Sequence, residues 1–174
     1  MSKSRPNRVL ADLAQYPDLV VIYLGMRVNS PRGLKTLMKF APPLMNKALT
    51  PTPDGLLLHE NLTYSLLPPH AGFRQYWRDF DSLERWARSG IHREWWKRFL
   101  ANPAGTGFWH ETYARGRDIE SMYIDMPGFG LGKFAPTVQA RGSMFSARQR
   151  VGVPGSSELT PGVAEEELYG DAKT

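Results

Sequence analysis

An α+β domain built on one antiparallel sheet is what this 174-residue chain predicts. Strand-like segments, alternating or β-branched, are separated by two helical patterns in the order β-α-β-β-α-β, with one strand added. A hydrophobic content of 41% and an aromatic content of 11% suit a globular chain of single-domain length. No internal repeat competes with that reading.

The first eighteen residues read as an arm, in which Arg8 to Gln15 can form one short helical piece that Pro17 stops. Between Leu19 and Asn29, the run of Val20, Val21, Ile22, Tyr23, Leu24 and Val28 predicts a central strand. Ser30-Pro31 then supplies an N-cap and a first-turn proline, followed by Leu34, Leu37, Met38 and Met45 at near-helical spacing. Pro42-Pro43 must break or kink that helix, since neither residue has a backbone N–H. Pro51 to Gly55 is a turn and Leu56 to Leu67 a second strand. Leu56, Leu58, Leu62, Tyr64 and Leu66 are expected on one of its faces, with His59, Asn61, Thr63 and Ser65 on the other.

Pro68 to Gly72 reads as a loop leading into a third strand, Phe73 to Phe80. Asp81 or Ser82 is the expected cap of a helical stretch reaching about Leu100. Gly107 to Arg115 and Ile119 to Met126 are two further strands joined near Gly116. This order is the ferredoxin-like split βαβ arrangement. Helices cover one face of such a sheet and leave the other bare, so a homodimer through the bare face is expected. Residues 127–151 are Gly-rich and irregular and are expected to lie on the domain. The domain therefore runs over 19–151, and the acidic, turn-rich residues 152–174 read as a disordered tail.

Zero cysteines exclude disulfides, thiolate metal sites and a cysteine nucleophile, and they fit a reducing, cytoplasmic setting. No apolar stretch follows the basic start, so no secretory signal is expected. The longest apolar run, Leu19 to Met26, is too short to cross a bilayer. A net charge of +5 and a pI near 9.6 would attract anions, but the basic residues are spread and mixed with acids. RNA-binding domains share this element order, yet the third strand lacks their aromatic and basic signature, leaving only stacking by Tyr76 or Trp77. Nucleic acid is accordingly not the expected partner.

The segment Asp81 to Leu100 is the densest chemically. After the break at Ser89-Gly90, Ile91, Trp95 and Phe99 form an apolar stripe flanked by Trp96, and His92 falls inside the same arc. A histidine there is either a hydrogen-bonded core residue or a pocket group. Along the fourth strand, alternation puts Phe108, His110 and Thr112 on one face and Trp109, Glu111 and Tyr113 on the other. His110 has the chemistry of a general base or an iron ligand, or is simply a bonded strand histidine. Glu111 cannot be its local partner. His59, His70, His92 and His110 show no metal-binding spacing, so no dedicated metal site is expected. Gly128 to Gly132 lacks the full nucleotide-loop pattern and reads as a flap.

The segment from Trp77 to Arg93 resembles the strand-to-helix region of antibiotic-biosynthesis-monooxygenase-type dimeric α+β barrels. Trp109 to Tyr113, with Tyr123 to Leu131, resembles a narrower group, the fumagillin-pathway monooxygenase-like proteins. The resemblance spans roughly Leu19 to Gln149. It implies a homodimeric, monooxygenase-like oxidoreductase with pockets between sheet and helices, acting on a small aromatic or otherwise apolar substrate. His110 and His92 are then the candidate catalytic groups, and Trp95, Trp96, Phe99, Phe108 and Tyr123 the candidate substrate contacts. No cofactor is required if the substrate supplies the electrons. Haem is the alternative, as in the aldoxime dehydratases and haem-degrading oxygenases of the superfamily. Trp96 stands where haem-degrading relatives carry their iron-ligating histidine, so His92 or His110 would hold iron, with Arg74 or Arg78 near the propionates. A non-catalytic ligand-binding module is the third reading.

Overall fold

A computed structural model describes residues 14–38, 49–116, 119–127, 138–154 and 163–169, apart from the side chains of residues 91, 168 and 169. Its frame is a five-stranded sheet in the order β2-β3-β1-β4-β5, formed by β1 Val20–Val28, β2 Leu56–Leu66, β3 Pro69–Trp77, β4 Thr106–Ala114 and β5 Ile119–Ile124. Every neighbouring pair is antiparallel. The β-branched run of β1 occupies the centre, where both of its edges are paired and its alternate residues Val20, Ile22, Met26 and Val28 are buried.

Helix α1 covers residues 31–38 and starts beside the entry to β4. Glycine is required on both sides of that approach. A Cβ on Gly33 would fall 2.1 Å from the Gly105 carbonyl oxygen, and Gly105 itself has φ +82°. The long helical stretch is two helices, α2 Phe80–Ala87 and α3 Gly90–Ala101, divided at the expected Ser89-Gly90 break. The cap differs from expectation. Asp79, not Asp81 or Ser82, caps α2, its carboxylate accepting from the Ser82 N–H at 2.6 Å. Strand β3 starts earlier than its apolar run suggested. Only residues 67–68 form the turn, so His70, expected in a loop, is a strand residue paired with Arg27.

All three helices pack on one face of the sheet. Near α2 the core comprises Val20, Ile22, Phe73, Trp77, Phe80, Leu83 and Trp86, closed by Val151 from the C-terminal segment. Near α3 it comprises Met26, Phe99 and Phe108, flanked by Leu37, Trp95, Trp96 and Met122. Residues 138–151 are the described part of the irregular C-terminal segment. A 3-10 turn, Gly142–Met144, leads to α4, Ala147–Arg150, which Ser146 opens with a capping box. Arg148 joins α4 to Glu84 and Asp81 of α2. Within 152–174, read from sequence as a tail, Val163 is buried and α5, Glu165–Tyr169, reaches Lys97 and Arg141 through Glu167 and Glu165. The arm's residues 1–13, the Pro42-Pro43 break and the Gly128–Gly132 flap lie outside the described residues.

Strand β2 is turned opposite to a simple amphipathic rule. Register shifts at Leu56/Leu58 and Thr63/Ser65 send Leu56 to the helix side and Leu58 to the open side. His59 and Asn61 pair with Gln75 and Phe73, so the polar edge of β2 faces the helices and Leu58, Leu62 and Tyr64 face away. The open face is thus rich in apolar and aromatic groups. Val21, Tyr23, Tyr64, Tyr76, Trp109, Glu111 and Tyr113 line a shallow concavity of about 410 Å³ there.

Candidate active site

On the helix side, the rings of the four aromatic candidates from α3 and β4 come together. Trp95 and Trp96 stack on Phe99 with centroids 5.5 and 5.9 Å apart, and Phe108 meets Trp96 edge-on at 5.2 Å. The i, i+4 spacing of Trp95 and Phe99 aims both rings at the same patch of β4. Phe99 and Phe108 are buried, while Trp95 and Trp96 keep an exposed side. Tyr123 is not among them. It lies on the open face, where its hydroxyl donates to Glu111 at 3.0 Å.

His110 adjoins this cluster, 6.0 Å from the Phe108 ring. Its Nε2 lies 2.9 Å from Oε1 of Glu120, a β5 carboxylate with no exposed side-chain surface. The two are in close contact without the alignment of a hydrogen bond, which leaves Nε2 a buried polar atom with no aligned partner among the described residues. The Thr112 hydroxyl donates to Glu120 Oε1, and Arg150 Nε donates to Oε2 at 3.0 Å. Burial alone would push the Glu120 carboxyl up. The charge and contact of His110, with help from Arg150 and Thr112, outweigh that and bring it down to about 2. The carboxylate therefore stays ionised at neutral pH and faces His110.

His92 sits elsewhere, at the corner between α2 and α3. Its Nδ1–H donates to the Ala87 carbonyl at 2.8 Å, and Trp86 and Trp95 flank the ring at 4.6 and 5.9 Å. Burial pushes it down to about 4, only partly offset by the bond to Ala87, so it is neutral above that pH. The two candidate histidines do not touch. They are linked through Trp95 and Phe108, themselves 6.3 Å apart.

Haem ligation requires one ring nitrogen free and the other held. In His110 the Nε2 is set against the Glu120 carboxylate, and in His92 the Nδ1 is held by Ala87 with no hydrogen bond to Nε2 among the described residues, so each ring has one nitrogen engaged. The arginines expected at the propionates are committed elsewhere. Arg74 pairs with Glu60 at 2.6 Å on the open face, and Arg78 with Asp54 and Asp79 at 3.0 and 2.8 Å.

Sequence reasoning missed Glu120, Thr112 as its donor, and Arg150. Glu120 had a signal: β5 alternation places it with Met122 and Ile124, an acid on an otherwise apolar face. Arg150 had none, since it arrives from a separate segment. His70 was missed as a buried group. Its Nε2 accepts from the Trp109 indole at 2.7 Å on the open face, and burial, with the nearby charge of Arg27, brings it down to about 4.

The family model for Monooxygenase af470-like proteins matches residues 19–131, most of the chain and both strands of the His110–Glu120 pair. The chain belongs to the Monooxygenase af470-like family. That family region ends before Arg150. No protein of curated function matches the chain. Among solved structures, an aldoxime dehydratase is 25% identical over 60% of this chain, with a TM-score of 0.46. The match spans only 30% of the dehydratase's own length. A cofactor-independent oxygenase from Streptomyces nogalater is 14% identical over 54% of this chain and 90% of its own, at 0.39. A conserved protein of unknown function from Bacteroides thetaiotaomicron is 10% identical over 56% of this chain and 98% of its own, at 0.46. At these TM-scores the likenesses carry no argument about chemistry.

Proposed function

We propose that this family member is a monooxygenase-like oxidoreductase in which His110 is the general base of a cofactor-free oxygenation. The supporting observation is the buried Glu120 carboxylate 2.9 Å from His110 Nε2, beside an aromatic wall. A carboxylate there favours the proton on Nε2 and stabilises the imidazolium that forms after proton abstraction, leaving the Nδ1 lone pair to act as base. The substrate class is a small phenolic or enolic molecule with an acidic CH₂ or C–H, held against Trp95, Trp96 and Phe108. Deprotonation yields a carbanion that reduces O₂. For a CH₂ centre, one oxygen atom becomes the new carbonyl and the other leaves as water, the four electrons coming from the substrate itself. His92 serves the α2–α3 corner in this reading, and Tyr123 lies outside the pocket.

The experiment is oxygen uptake by chelator-treated protein over a panel of phenolic and enolic carbon acids. Wild type is expected to consume O₂ with one panel member, and His110→Ala to lose about 10²- to 10⁴-fold. Uptake unchanged in His110→Ala would sink the assignment.

One observation favours a second reading. The His92 ring is held through Nδ1, so its Nε2 would be the atom to hold the iron. Haem, when bound, would supply iron-based redox chemistry. A Soret band lost in His92→Ala supports this reading, and a colourless protein that takes up no added haemin ends it.

The open face supports a homodimer as the working assembly, because β2 turns Leu58, Leu62 and Tyr64 outward and the concavity is lined mostly by aromatic rings. A monomeric mass by ultracentrifugation at micromolar concentration would contradict it.

A further inference from the structure

We propose that Arg150 is a positioning residue for His110, and that the C-terminal segment carrying it is the strap that completes the active site. The inference rests on the reading of His110 as the base. It adds a residue from outside the family-matched region, which ends at residue 131.

Four observations carry it. First, Arg150 and His110 hold opposite oxygens of one carboxylate: Arg150 Nε is 3.0 Å from Glu120 Oε2, and His110 Nε2 is 2.9 Å from Oε1. Second, all three side chains are buried or nearly so, at 8%, 0% and 13% exposure, so solvent screens their interaction little. Third, the guanidinium is itself fixed, because Nη1 donates to the carbonyls of Met144 and Phe145 at 2.7 Å each. Fourth, the strap is anchored at both sides of Arg150. The Ser146–Gln149 capping box sets its start, Arg148 ties it to Glu84 and Asp81, and Val151 is 1% exposed in the core beside Trp86.

The consequence is electrostatic. The carboxylate of Glu120 faces the permanent cation of Arg150 with one oxygen and the His110 ring with the other. Without Arg150, the whole carboxylate would act on His110 and hold its proton too tightly for a base that must release it on turnover. With Arg150, Glu120 still orients the ring but binds the proton less. The charged groups facing His110 are Glu120 from β5 and, behind it, Arg150 from α4. The neighbouring β1 position is Leu24, and α3 reaches Phe108 through Trp95 and Trp96. Arg148 belongs to the same strap but pairs with α2, which makes it the internal control.

The test is a pH titration of the His110 ring signals in full-length, histidine-labelled protein, comparing wild type with R150Q, R150M and R148Q. Removing a cation at this range is expected to move the His110 midpoint upward by about one unit relative to wild type in R150Q. R150M, which fills the buried space with an apolar chain, should do the same, and R148Q should leave the midpoint in place. A folded R150Q or R150M that titrates like wild type overturns the proposal. So does an R148Q that shifts as far, since loosening of the strap would then explain both. If both Arg150 variants fail to fold while R148Q folds, Arg150 serves folding alone and the proposal is overturned as well. The titration uses no substrate. Absence of oxygen uptake by wild type therefore removes the proposed function without touching this result, and an unshifted R150Q does the reverse.

Discussion

On the helix-covered face the buried carboxylate of Glu120 meets His110 and Arg150, whereas on the open face the buried carboxylate of Glu111 accepts from the hydroxyls of Tyr113 and Tyr123 at 2.8 and 3.0 Å. Histidines divide in the same way. His110 has an acid at its ring nitrogen, while His70 on the open face is pressed neutral by burial and receives the Trp109 indole N–H. One sheet therefore carries similar ingredients twice. In the proposed reading, acid–base chemistry lies under the helices and the open face serves packing.

The strongest way to break that comparison is Glu120→Ala. It strands a buried guanidinium and should cost about 3–5 kcal/mol, read from urea midpoints. A loss below about 1 kcal/mol would mean that Arg150 finds water or another acceptor, and the contrast with the open face would fail. Trp109→Phe is next. It keeps the packing but leaves His70 Nε2 without its indole donor, and about 1–3 kcal/mol of stability should go with it. The proposed oxygen uptake should survive this change, and its loss would place catalytic work on the open face.

Acid should then weaken both faces together. His70 and His92 have folded values near 4 against 6.5 in the unfolded chain, so between those pH values the unfolded chain binds more protons. Their contribution is complete above pH 6.5 and falls as pH drops towards 4. Glu120, at about 2 against 4.5, adds a contribution that is present above pH 4.5 and lost as pH falls towards 2. Urea midpoints should decline from pH 7 to 4, less steeply in His92→Gln, and a flat profile would contradict the buried neutral state of both rings. The smallest effect is expected for Thr112→Val, which removes one donor to Glu120 and should cost about 1 kcal/mol. A loss as large as that of Glu120→Ala, measured in the same denaturation series, would make the hydroxyl rather than Arg150 the carboxylate's main partner.

Much of this was legible locally. The run Val20 to Val28 and the alternation of Phe108, His110 and Thr112 set which side chains share a face, because strand geometry has period two whatever surrounds it. Ser89-Gly90 marked the helix break for an equally local reason. Strand β2 was less readable, since its register shift at Leu56/Leu58 comes from pairing with β3 and parts Leu56 from the face shared by Leu58, Leu62 and Tyr64.

By itself, then, the sequence determined the element order, the face of each β4 side chain and the aromatic stripe of α3, all consequences of backbone periodicity. The tertiary structure alone decided that His92 closes a helix corner, that Tyr123 belongs to the open face with Glu111, and that Glu120 and Arg150 meet at His110. The physical reason is separation along the chain. Arg150 stands 30 residues from the carboxylate it binds, and no local pattern encodes a contact that exists only after the strap has docked.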